Sequence, residues 1–211
     1  MHYPINNDPE PIRLFKSNFL EFFTHISPVT VVLIWLPFAL WMLWRGIAAG
    51  MALGGSMLFI PAAFLIGLFV WTFTEYTMHR FVFHFRPRNP AQEKIIYLFH
   101  GIHHHQPQCK TRLVMPPVVS VPLSAMFYGL FVLIVGNLLG APHWVGPLVS
   151  GFTIGYLTYD LTHYATHHFP MRSGVLKYLK RYHMQHHYKT PDQRYGVSSP
   201  LWDIVFGTKP A

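Results

Sequence analysis

Phe64-Leu-Ile-Gly-Leu-Phe-Val-Trp-Thr-Phe-Thr-Glu75-Tyr-Thr-Met-His79-Arg-Phe-Val-Phe-His84 runs without a break from an apolar block into a pair of histidines. With the apolar residues before it, the block reaches the roughly 20 residues that a bilayer-spanning helix needs. Three more histidine clusters follow along the chain: His100-Gly-Ile-His103-His104, His163-Tyr-Ala-Thr-His167-His168 and His183-Met-Gln-His186-His187. Neutral imidazole is the commonest protein ligand of transition metals. One ion takes about four to six donors, so eleven clustered histidines point to two metals held at the ends of membrane helices.

The 211 residues suit a single domain, 1–211, but the composition is not that of a soluble protein. It is 51% hydrophobic and 17% aromatic, with only 11% charged residues. Apolar periodicity predicts four spans at about 29–48, 56–78, 117–140 and 144–166. Short Gly-rich connections around Gly50, Gly54 and Gly55 and at Gly140-Ala-Pro142 pair them into two helical hairpins. The expected fold is therefore all-α and integral to the membrane, with 79–116 and 167–211 forming a helical cap around the histidines. Residues 1–28 form a polar leader whose segment 14–23 is amphipathic, as in a helix lying on a membrane surface.

A net charge of +8 raises the possibility of nucleic-acid binding, which four hydrophobic spans exclude. The basic residues sort by topology instead. Only Arg45, at the end of span one, falls on the side of the two short connections; the others lie in the leader, between spans two and three, or after span four. The positive-inside rule then puts both termini and all four clusters in the cytoplasm. No cleavable signal peptide is evident. The single cysteine, Cys109, excludes an intramolecular disulfide and a cysteine-held cluster, and is read as incidental.

On a helix, residues i, i+3 and i+4 share a face. His100, His103 and His104 obey that rule, as do His183, His186 and His187, and each set can aim at one point. His163 and His167 are one turn apart. His105, five positions after His100, points about 140° away and is not expected to ligate. His84 and His168 stand at the same unfavourable spacing and contribute only where the helix ends or unwinds, as Phe85-Arg-Pro-Arg88 and Phe169-Pro170 suggest. The isolated His2, His25 and His143 read as structural. Glu75 and Asp160 each lie one turn before a candidate ligand, where a carboxylate commonly accepts the free N–H of a metal-bound imidazole.

These clusters, with Arg13-Leu-Phe-Lys16, Arg112-Leu-Val-Met-Pro-Pro117 and the tail Ser199-Pro-Leu-Trp-Asp-Ile-Val-Phe-Gly-Thr208, resemble the fatty acid hydroxylase/sterol desaturase superfamily, closest to the fatty acid (ceramide) 2-hydroxylases. The resemblance implies a di-metal monooxygenase that hydroxylates a lipid acyl chain at C2. It implies iron as the active metal, with zinc in purified protein, O₂ as co-substrate, and His84 and His168 as ligands despite their spacing. Arg112 and Met115 then mark substrate access, with Arg112 near a lipid head group. Eukaryotic members often carry a cytochrome b5 domain that this sequence lacks, so electrons are expected from a separate cytochrome b5 or ferredoxin with its reductase. On the same ground the bacterial inner membrane is preferred to the endoplasmic reticulum. The alternatives are a sterol, carotenoid or alkane oxidase of the same superfamily, or a non-catalytic membrane metal-binding protein.

Overall fold

The computed structural model describes residues 4–8 and 10–210; His2 lies outside them. Among the described residues the fold is all-helical. In order the helices are α1 (Asn18–Phe22), α2 (Pro28–Leu53), α3 (Phe59–Thr77), α4 (Pro90–Ile96), α5 (Ile102–His105), α6 (Pro117–Phe131), α7 (Pro142–His168), α8 (Gly174–Tyr188) and α9 (Leu201–Val205). Three wider π-helical turns interrupt this pattern: Met78–Phe83 after α3, Tyr97–Gly101 between α4 and α5, and Val132–Leu138 after α6. The chain divides into two compact units. One comprises 29–71 and 115–158; the other comprises 1–28, 72–114 and 159–211.

In the first unit, α7 is packed against its neighbours through residues with little or no side chain. A Cβ on Gly151 would stand 1.9 Å from the Phe64 carbonyl oxygen, and one on Gly67 would stand 2.0 Å from that of Leu148. Gly46 meets the Pro147 ring in the same way. Such contacts bring helix backbones together where lipid offers no hydrophobic drive to association. Trp35, Trp71, Phe127 and Phe131 close around Phe152 and Tyr156 with ring separations of 5.0–5.8 Å. Because the clash at Gly151 is with backbone, Gly151→Val is expected to lower stability by about 3 kcal/mol. The check is the thermal midpoint in detergent; an unchanged midpoint would refute the close packing of α3 and α7.

Three helices are long and apolar enough to cross a membrane: Pro28–Leu53, Phe59–Phe83 and Pro117–Leu138. The fourth expected span, 144–166, coincides with α7, which has the length but not the apolar composition. The reason is burial in protein. Residues 145–153 are all buried, Ser150 and Thr153 among them, whereas α2, α3 and α6 present Leu33, Leu40, Leu65, Phe69, Met126 and Leu130 outward. A helix shielded by neighbours tolerates hydroxyls that a lipid-facing helix does not. Gly54 and Gly140 adopt positive φ in the two hairpin connections, whereas Gly50 lies within α2.

The second unit carries the leader, both polar segments and the ends of α3 and α7. The expected surface helix over 14–23 forms only at Asn18–Phe22, capped by Ser17. Phe19 and Phe22 are more than 70% exposed on it.

Candidate metal centre

Ten of the eleven candidate histidines form two groups of five. The first group is His79, His84, His100, His104 and His186; the second is His103, His163, His167, His183 and His187. In each group one nitrogen per ring lies within 4.8 Å of all the others. The Nε2 atoms make two runs of close approach. In the first, His79 meets His100 at 3.0 Å, His100 meets His104 at 3.0 Å, His104 meets His186 at 3.2 Å and His186 meets His84 at 3.1 Å. In the second, His163 meets His103 at 2.9 Å, and His103 and His183 each meet His187 at 3.0 Å. His167 meets His183 at 2.9 Å. The groups adjoin, with the His104 and His187 rings stacked 4.1 Å apart.

Helix geometry explains this partition. Residues four apart stay together: His100 with His104, His163 with His167, and His183 with His187. His103 and His186, one position before the second member of their pairs, point to the other side and join the opposite group. The two HxxHH motifs therefore do not each converge on one point, as their spacing predicts, but straddle both groups. His84 joins His79 because the π-helical turn Met78–Phe83 widens the repeat, bringing residues five apart into line. The His84 amide donates to the His79 carbonyl at 3.1 Å, the i to i+5 bond of such a turn. No π turn precedes His168 on α7, so five positions carry it away from His163. It lies outside both groups, against the Tyr164 ring at 4.5 Å. His105 also lies outside them, its Nδ1 2.8 Å from the Tyr97 hydroxyl.

The groups fit metal ions. Nitrogens bound about 2.0–2.1 Å from a shared ion stand roughly 2.9–3.4 Å from one another, matching the spacing found. Hydrogen bonding alone does not explain the convergence. A neutral imidazole has a single N–H, and His79 and His186 spend theirs from Nδ1 on the carbonyls of Tyr195 and Gln193. Their Nε2 lone pairs therefore face inward. In the second group the Nδ1 atoms of His167, His183 and His187 are buried without a protein partner. Burial, followed by mutual repulsion with neighbouring histidines, holds His100, His103, His104, His183 and His187 well below the usual imidazole pKa. These rings are neutral near pH 7, the form that ligates a metal.

Carbonyl groups, rather than Glu75, orient His79 and His186 in the first group. Glu75 hydrogen-bonds to a loop and not to a histidine. Its Oε1 accepts the amides of Val197 and Ser198 at 2.7 and 2.8 Å, and its Oε2 accepts the Ser198 hydroxyl. It thus anchors the loop whose Tyr195 carbonyl meets His79. Asp203 works beside it. Its carboxylate accepts the Tyr195 amide at 2.9 Å, the Gly196 amide at 2.7 Å and the Thr208 hydroxyl at 2.7 Å. Sequence reasoning missed this role, although Asp203 sits inside the quoted tail. Asp160 is buried on α7, one turn before His163.

Arg112, expected near a lipid head group, is instead turned into the protein. Its guanidinium is buried and donates to the Ile12 carbonyl and to Glu21, with His25 3.1 Å away. A buried guanidinium needs such partners, and here the leader supplies them. Gln106 completes the attachment: its side chain accepts the Ile12 amide at 2.8 Å and donates to the Glu10 carbonyl at 2.9 Å. Met115 is half-buried and begins the 115–158 segment of the other unit. Cys109 is buried, its sulfur 3.7 Å from the Thr111 hydroxyl.

The family model for fatty acid hydroxylases matches residues 64–208, which include every histidine of both groups. The chain belongs to the fatty acid hydroxylase family. Along all of its length this hydroxylase is 38% identical to the dihydroceramide fatty acyl 2-hydroxylase of Arabidopsis thaliana, covering 84% of that protein. It is 34% identical to the mouse fatty acid 2-hydroxylase over 99% of its own length and 58% of that protein. A solved structure of full-length scs7p, with only the hydroxylase domain visible, matches 92% of this chain and 70% of that one. The TM-score is 0.82 and the identity 36%. The relatives come from plants, yeasts and mammals, which overturns the preference for a bacterial inner membrane. That preference rested on the expected absence of a b5-type segment. The Arabidopsis relative shows that a chain with little room for a further domain occurs in a eukaryote.

Proposed function

We propose that this enzyme hydroxylates the C2 position of a membrane lipid's acyl chain, with two metal ions held by the ten grouped histidines. Two convergent five-histidine groups, in a chain 38% identical throughout to a fatty acyl 2-hydroxylase, carry the reading. Iron is the metal that suits both donors and reaction: an all-nitrogen set favours transition metals, and zinc, lacking redox chemistry, would bind without supporting oxidation. When bound, the redox-active pair supplies the activation of O₂ needed to attack an unactivated C–H bond. The protein's own groups do the rest. The carbonyls of Tyr195 and Gln193 fix the ring orientation of His79 and His186, and burial keeps the imidazoles neutral and bulk water out. Two electrons come from a separate donor chain.

The whole chain acts as one hydroxylase domain, with α7 as a fourth span and the histidine-bearing unit facing the cytoplasm. The distribution of basic residues supports that orientation. Expression in a host lacking 2-hydroxy acyl chains, with a compatible donor, is expected to add one oxygen at acyl C2 in total-lipid mass spectra. Oxygen on a sterol or carotenoid instead would overturn the substrate and leave the metal chemistry standing.

A further inference from the structure

Nine of the ten grouped histidines are fully buried, and His84 alone keeps partial exposure. It lines a cavity of about 290 Å³ walled by Phe83, His84, His100 and His104, with Phe85, Arg86 and Asp192 among its other residues. Arg86 and Asp192 are exposed, as is Arg88 two residues on. One imidazole thus has its Nε2 inside the first group and its outer edge in a solvent-open cavity. The reaction, as read above, needs two electrons from outside the chain, and electron tunnelling weakens steeply with distance. We propose that this cavity is where the electron donor docks, and that electrons enter through the His84 ring. The donor that fits is a small protein with an acidic face around an exposed one-electron prosthetic group, set against Arg86 and Arg88.

The inference rests on the hydroxylase reading. The donor is oxidised twice, one electron at a time. Those two electrons, two protons and O₂ convert one C–H into C–OH and release one water. Transient redox partners meet over small interfaces, below about 1,200 Å², and their encounter rates follow charge. Asp192, the one acidic residue of the cavity, opposes an acidic partner. Substitutions at Arg86 and Asp192 therefore have opposite expected effects, which a general loss of fold does not produce.

The probe is the soluble haem domain of an acidic cytochrome b5, with basic cytochrome c as the counter-probe. Binding is read by interferometry on zinc-loaded protein, and reduction by stopped-flow spectroscopy on iron-loaded protein. Arg86→Glu is expected to weaken haem-domain binding and slow reduction about tenfold at low ionic strength, and Asp192→Asn to strengthen both. The differences are expected to collapse in 0.5 M salt, where screening acts within a few ångströms. Photoreduction by deazaflavin, which needs no docking, is expected to stay at the wild-type rate in both variants. Absence of wild-type binding, tighter binding of cytochrome c than of the haem domain, or a reduction rate indifferent to both substitutions overturns the proposal. So does an acyl-substrate KM raised by Arg86→Glu with reduction unchanged, which would make the cavity a lipid port. Electron uptake with no 2-hydroxy product would instead sink the substrate reading and leave the docking site standing.

Discussion

His100→Ala is expected to reduce bound metal from two ions to about one per chain and to cut hydroxylation by more than 100-fold. The His100 Nε2 lies 3.0 Å from those of both His79 and His104, in the interior of the first run of contacts. Its ring also stacks on Phe83 at 5.2 Å. Loss of a group that merely orients a ligand costs about 10–100-fold, and loss of a ligand costs more. His105→Ala, five residues away and outside both groups, is expected to keep both ions and full activity. His168→Ala is the sharper comparison. Its spacing from His163 matches that of His84 from His79, yet α7 has no π turn at that point, so both ions are expected to remain. Metal analysis on monodisperse protein settles all three. A two-ion His100→Ala with wild-type activity would refute the assignment of the first group, and a one-ion His168→Ala would make the ligand set eleven.

Asp203→Ala is expected to be the most damaging change outside the histidines. Its fully buried carboxylate holds the amides of Tyr195 and Gly196, and the substitution leaves both without an acceptor. Each buried unsatisfied amide costs about 1–3 kcal/mol, so the loss is about 3–5 kcal/mol, or roughly 10 °C in Tm for a chain of this size. The metal centre is expected to suffer with it, because the Tyr195 carbonyl orients His79 from the same loop. Iron bound in the first group should exchange faster while the second group keeps its ion. Asp203→Asn retains one acceptor oxygen and should fall between. Equal thermal midpoints for wild type and Asp203→Ala would contradict the anchoring role. A lower midpoint with unchanged metal exchange would separate the loop's stability from the centre's geometry.

Short-range periodicity made much of this legible. Pairs four apart, such as His163 and His167, fall on one helix face whatever surrounds them, and each such pair stays in one group. The apolar runs likewise mark three helices suited to lipid. Helical periodicity fell short where the local repeat was not α-helical or the partner was remote, and only the family resemblance pointed to His84. His84 enters its group only because Met78–Phe83 widens into a π turn, which nothing in its composition announces. Arg112 looked like a lipid contact because its environment was unknown; the leader, about ninety residues away in the chain, neutralises it. The fourth apolar block is an interior helix for the same kind of reason, its hydroxyls shielded by packing that only close helix approach creates.

By itself, the sequence determined an all-helical enzyme with membrane-length apolar helices, its clustered imidazoles, and which neighbouring rings share a helix face. These properties follow from residue type and a repeat of a few residues. The tertiary structure decided how the rings divide between two groups, which carbonyls orient them, and that Asp203 and Glu75 hold the loop behind one of them. Every residue has a carbonyl, so which ones meet a histidine is settled only when distant segments pack.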